Sequence, residues 1–201
     1  METTKEYRVV KGVEQKSSDE GRVEGYGVVF DQWAPVWSYF RERIDKRAFE
    51  GVDMSDVLIT YNHNFDYLMA RTGNNSAELT IDDHGVKYSF DPPNTSVAND
   101  VVELISRGTL NGSSFYFSID EEGDEWKVGE DGVWERTITR ISDLYELGPV
   151  STPWYPQTDA QMKDAGLQVM KRAGIELQPE EVVKPPIQKN GNYIRLRLAA
   201  K

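Results

Sequence analysis

Apolar and polar residues alternate with a period of two through much of the first two-thirds of the chain. RVEGYGVVFD (22–31), YFRERI (39–44) and VWERTITRI (133–141) carry this pattern, which predicts strands with one face buried. DVLITYN (56–62) is denser in apolar residues and predicts a strand covered on both sides. AELTID (77–82) and VKYSFD (86–91) flank Asp83-His84-Gly85, a turn that predicts a hairpin. LYELGPVS (144–151) continues the series. NGSSFYFSID (111–120) predicts a turn followed by a half-buried strand, with Ser114, Tyr116 and Ser118 on one face and Phe115, Phe117 and Ile119 on the other.

The period changes to 3.6 in SVANDVVELISRG (96–108), where Val97, Val101, Leu104 and Ile105 share one side of a helix. Thr95 or Ser96 caps its start, Arg107 suits its last turn, and Gly108 stands where the chain must leave it. KRAFEG (46–51) predicts a short helical turn closed by Gly51, and AQMKDAGLQVMKRAG (160–174) a second helix. The sum is an α+β chain, mainly β.

Charge divides the chain where periodicity fades. After QPEEVVKPP, a linker by its prolines, residues 184–201 carry five basic residues and no acidic one. That tail is +5 in a chain of net charge −11, which leaves −16 on the remainder. The expected organisation is a domain over residues 1–160 and an appended segment over 161–201, comprising a helix, a Pro-rich linker and a basic tail. Ile194, Leu196 and Leu198 alternate with Tyr193, Arg195 and Arg197, so an extra strand is the competing reading of the tail. An acidic body argues against nucleic-acid binding, which needs a basic face. No apolar run approaches the roughly 20 residues that span a bilayer, so no membrane segment is expected. METTKEYRVVKG has no apolar core of the kind a signal peptide carries.

The chemistry available is narrow. There is no cysteine, so thiol nucleophiles and Cys-ligated metals are ruled out. A Lys-Ser or Lys-Thr phosphate loop is absent, and no cofactor or metal site is expected. Asp120-Glu121-Glu122-Gly123-Asp124 lacks calcium-loop spacing and reads as a solvated turn. The two histidines are His63, at the end of a buried strand, and His84, at a hairpin tip. The first is better placed to be held beside a cleft. A serine needs a neighbouring base to attack at neutral pH. A Ser–His pair is therefore the conventional nucleophilic arrangement open to this chain. Strand parity sends Ser113 and Ser114 to opposite faces, and parity alone does not choose between them.

Five segments in order carry a resemblance. They are EGYGVVFD, FRERIDKRAFEG, ITYNHNFDYLMART, DDHGVKYSFDPPNTSVANDVVELISRGTLNGSSFYF and LYELGPVSTPWYP. From about residue 22 to 160 the chain resembles the prohead (procapsid) maturation serine proteases of tailed bacteriophages. The last four match the patterns F-x-E-x-I-x-x-G-A-F, NHD…LGRT, GL…LPDTS…MSFGF and EVS-x-V-x-x-PAYP. Departures from the patterns are Arg47, Ala70 and Tyr116, each where the family has glycine.

The resemblance implies that Ser114 is the nucleophile, His63 its base and Glu146 the acid behind the histidine, with Glu42 and Asp66 as rivals for the third role. Ser113 falls on a spectator position. Backbone N–H groups are the usual oxyanion donors, and Arg136 or Arg140 is expected to orient their loop. The implied fold is a curved antiparallel β-barrel wrapped by helices, like the herpesvirus assembly proteases. The implied function is a serine endopeptidase that cuts scaffold or the capsid-protein delta segment, and itself, inside the procapsid in the host cytoplasm. No cofactor is implied, and a homodimer is compatible by analogy. A silent assembly protein with the same fold is the alternative. A serine esterase of α/β-hydrolase type would need a Gly-x-Ser-x-Gly elbow, which NGSSFYF lacks.

Overall fold

A computed structural model describes residues 4–10, 15–17, 21–36, 40–151 and 160–175 of the 201. In chain order the strands are β1 (Thr4–Val10), β2 (Lys16–Ser17), β3 (Val23–Val29), β4 (Ala34–Val36), β5 (Phe40–Ile44), β6 (Leu58–Tyr61), β7 (Asn64–Arg71), β8 (Ala77–Ile81) and β9 (Gly85–Phe90). After helix α1 (Ser96–Ser106) come β10 (Gly112–Ile119), β11 (Asp124–Val128), β12 (Trp134–Ile138), β13 (Ile141–Val150) and helix α2 (Ala160–Arg172). A short 3₁₀ helix, Lys46–Phe49, occupies the expected turn before Gly51.

The mainly-β expectation holds, but among the described residues the strands form three sheets and none of them closes into a barrel. The first sheet runs β1-β10-β13-β6-β7, the second β11-β12-β5-β4 and the third β2-β3-β9-β8. Most pairs are antiparallel, whereas β13–β6 and β12–β5 are parallel. The segment 133–141 does not make one strand. It breaks at Thr139-Arg140 into β12 and β13, which belong to different sheets.

One continuous core fills the space between these layers. Val28, Val86 and Phe90 from the third sheet meet Phe115, Phe117, Leu147 and Ile59 from the first. Ala98, Val101 and Ile105 bring the apolar side of α1 onto them. That helix is cut to length locally. Thr95 accepts from the Ala98 N–H at its start, and Gly108 leaves it with φ of 67°.

A smaller cluster joins Met170 and Ile175, in and after α2, to Val36 and Phe40 of the second sheet. The expected appended segment thus begins with a helix packed on the body. The linker and the basic tail lie outside the described residues.

Between the first and second sheets sits a buried ionic cluster. Arg136 on β12 is 1% exposed. It donates to Glu6 at 2.7 and 2.8 Å, to Glu42 at 2.7 Å and to Asp124 at 2.6 Å. Arg8 binds Glu42 at 2.5 and 2.9 Å and also pairs with Glu6. Burial alone pushes the Glu6 carboxyl up, but Arg8 and Arg136 reverse it and hold it at about 2. Burial also works against the Arg136 charge, yet Glu6, Glu42 and Asp124 raise its affinity for its proton. The same charges fasten strand β1 to the second sheet by its Glu6 and Arg8 side.

Candidate active site

Three neighbouring elements of the first sheet converge on one spot. β10 carries Ser114, and β13 beside it carries Glu146, with Ser114 opposite Gly148 and Tyr116 opposite Glu146. β6 runs parallel to β13, pairing Leu58 with Glu146 and Ile59 with Leu147. It then turns back tightly into β7. Asn62 and His63 are the two central residues of that turn, each with φ of 56°, and Tyr61 pairs with Asn64. Two successive positive φ values mark a type I′ hairpin. His63, expected at the end of a buried strand, therefore stands at a hairpin tip two residues beyond the end of β6.

The polar atoms form a chain. Ser114 Oγ lies 2.6 Å from His63 Nε2, and His63 Nδ1 lies 2.6 Å from Glu146 Oε2. Thr60 Oγ1 donates to the other carboxylate oxygen, Glu146 Oε1, at 2.6 Å. With the Glu146 side chain 1% exposed, both of its oxygens are thus engaged in a nearly dry setting. Given a Glu146 carboxylate, Nδ1 must carry the proton, and Nε2 is left free to accept from the serine. Ser114 Oγ also lies 2.8 Å from the Arg8 carbonyl oxygen on β1, so its single proton has two acceptors. The His63 side chain keeps 24% of its surface exposed, so the cluster opens to solvent on the histidine side.

Aromatic rings wall this face. Tyr7 stacks on Tyr116 with centroids 4.1 Å apart and meets the His63 ring edge-on at 4.6 Å. Burial, with Tyr116 and the Glu146 charge, raises the Tyr7 hydroxyl above its ordinary value. Close approach of β6 depends on Gly148, where an added Cβ would fall 2.2 Å from the Thr60 carbonyl oxygen.

The two serines part as parity requires. Ser113 points to the other side, where its Oγ meets Tyr88 Oη at 3.1 Å and Gln15 Nε2 at 3.0 Å. Neither rival acid reaches the histidine. Glu42 belongs to the ion cluster of Arg8 and Arg136, and Asp66 is an exposed residue of β7. The expected role of the arginines in orienting an oxyanion loop is not what their partners indicate. Arg136 is committed to Glu6, Glu42 and Asp124, and Arg140 pairs with Asp120 at 3.2 Å. His84 stays at its hairpin, its ring against Tyr26 at 4.5 Å.

The family model for caudovirus prohead serine protease matches residues 9–173. The chain belongs to this family. The match covers all three elements that carry Ser114, His63 and Glu146, and extends through α2. Tyr7 and the carbonyl of Arg8 lie just before it. A search of curated proteins finds no match, and neither does a search of solved structures.

Several residues of this candidate site in the prohead protease chain left no clear mark in the sequence. Thr60, Asn62 and Gly148 each act through partners distant in sequence. Only Asn62 left a trace: asparagine is among the residues that adopt positive φ most readily, so Asn-His after a buried strand could have signalled a tight turn.

Proposed function

We propose that the protein is the maturation endopeptidase of a phage procapsid, with Ser114 as nucleophile, His63 as general base then acid, and Glu146 as the group that orients and stabilises the imidazole. The observation that carries this is the unbroken chain of contacts from Ser114 Oγ through both nitrogens of His63 to Glu146. Ser114 Oγ attacks the scissile carbonyl carbon while its proton passes to Nε2. The resulting imidazolium gives that proton to the leaving amine as the C–N bond breaks. Water then attacks the acyl-enzyme, again losing a proton to Nε2, and frees the new carboxyl group and Ser114. Glu146 stays ionised and holds the ring through Nδ1–H.

Family membership supports capsid and scaffold proteins as the substrate class and the procapsid interior as the place of action. The scaffold, the delta segment of the capsid protein and the protease's own basic tail are the specific substrates proposed. We also propose that residues 161–201 serve as a targeting or autoprocessing segment, and that the fold is similar to that of the herpesvirus assembly proteases. Co-expression with the phage's capsid and scaffold proteins, followed by mass spectrometry, tests the reading. Cleaved scaffold or capsid protein is expected with the wild-type chain and none with Ser114→Ala. Cleavage that persists in Ser114→Ala overturns the assignment. A tail that stays intact in active enzyme, and whose deletion leaves packaging unchanged, overturns its proposed role.

A further inference from the structure

Sheet pairing becomes irregular toward the hairpin tip. β13–β6 pairing ends at Leu147–Ile59, four residues before His63. Beyond it the β6–β7 register slips twice, between Ile59 and Thr60 and between Thr60 and Tyr61. Past that point Tyr61–Asn64 is the pair of the β6–β7 register that remains before the tip. Yet the ring has to keep 2.6 Å contacts with side chains on two other strands.

Asn62 supplies a further hold. Its N–H donates to the Pro149 carbonyl at 3.1 Å. Its side-chain Oδ1 accepts from the Ser151 N–H at 2.8 Å and from the Ser151 hydroxyl at 3.1 Å. Pro149 lies at the end of β13, opposite Ser113 in the register, and Ser151 follows that strand. The tip is thus tied to the strand that carries Glu146 and flanks Ser114. The tie also pins Asn62 itself at φ of 56°, a conformation that costs a residue other than glycine on the order of 1 kcal/mol unless its surroundings enforce it.

We infer that Asn62 is a positioning residue for the reaction: its side chain fixes the His63-bearing turn on the end of β13, and so sets the His63–Ser114 distance. This rests on the Ser114–His63 reading above. It differs from a role in which asparagine is needed only to tolerate positive φ, and glycine separates the two. Asn62→Gly keeps the turn and loses both Oδ1 bonds, whereas Asn62→Asp keeps an acceptor oxygen.

The readout is the second-order rate at which a fluorophosphonate labels Ser114, which needs no knowledge of the cleavage site, together with the melting temperature. Labelling should fall by roughly 10- to 100-fold in Asn62→Gly, the scale on which catalytic geometry responds to small misplacements. Asn62→Asp should recover most of that loss. Ser151→Ala, which keeps the peptide N–H, should lose only a few-fold, and all three should melt close to wild type. Labelling of Asn62→Gly and Ser151→Ala at the wild-type rate overturns the inference. So does a loss in Asn62→Gly that Asn62→Asp does not recover. Should Asn62→Gly melt early, Ser151→Ala against wild type decides. A wild-type chain that does not label at Ser114 overturns the Ser114–His63 reading itself, and with it this inference.

Discussion

Replacing Glu146 by Gln removes one charge and almost no volume, so it isolates the electrostatic part of the site. In the wild type the carboxylate lies 2.6 Å from His63 Nδ1 and takes the Thr60 hydroxyl on its other oxygen. When the imidazole becomes charged during attack, its positive charge stands some 4 Å from the carboxylate. At an effective dielectric of about 20 that pair is worth about 4 kcal/mol. An amide oxygen turned toward Nδ1–H keeps a neutral hydrogen bond and restores part of this. The opposite amide orientation points N–H at Nδ1 and forces the proton to Nε2, the wrong nitrogen for accepting from Ser114. The expected outcome is a fall in turnover of roughly 100- to 1,000-fold, at one decade per 1.4 kcal/mol, with the substrate's KM little changed. Turnover and fluorophosphonate labelling should fall together, because both require the serine proton to leave. Thermal melting checks the fold. A Glu146→Gln enzyme that melts normally and works within about threefold of wild type would refute the reasoning, since so small a change leaves under ~1 kcal/mol for the charge.

Further outcomes follow from the same geometry. Thr60→Val keeps the shape but leaves one oxygen of a buried carboxylate without its donor. A loss of roughly 1–3 kcal/mol in transition-state stabilisation or stability is expected, read from turnover and melting, with Thr60→Ser recovering most of it. Gly148→Ala drives a methyl group into the Thr60 carbonyl and must push β6 away from β13. Labelling of Ser114 should collapse in that variant even where folded protein is recovered. Glu6 ionises at about 2 in the fold against 4.5 as the ordinary value. Its contribution to stability is therefore complete above about pH 4.5 and drains away as pH falls toward about 2. Melting curves across that window should steepen in wild type relative to Glu6→Gln, which starts less stable at neutral pH because Arg136 loses part of its compensation.

What could be read in advance was whatever is decided locally. The 77–91 hairpin came from alternation and a turn tripeptide, and α1 from its spacing, its Thr95 cap and Gly108. What escaped depends on partners far along the chain. Nothing in METTKEYRVVKG marks Glu6 and Arg8 as inward-facing. They point inward because Glu42 and Arg136, more than 30 and 120 residues away, neutralise them in a dry layer. β7 has no clean alternation, since Phe65, Asp66, Tyr67 and Leu68 are all exposed near the tip while Met69 and Ala70 are buried. The break that splits 133–141 between two sheets has no apolar signature. In the site itself, parity separated Ser113 from Ser114 and the family pattern ranked them. That Glu146 rather than Glu42 or Asp66 stands behind His63 depends on the parallel pairing of β6 with β13, a contact between segments more than 80 residues apart.

The central claim is that Ser114 is the activated nucleophile of this fold. Intact-mass and peptide mapping after brief exposure to a fluorophosphonate tests it most directly. The account predicts one adduct per chain, located on Ser114, and no adduct in His63→Ala or Ser114→Ala. An adduct on another residue, or labelling of Ser114 that survives the loss of His63 undiminished, would contradict it.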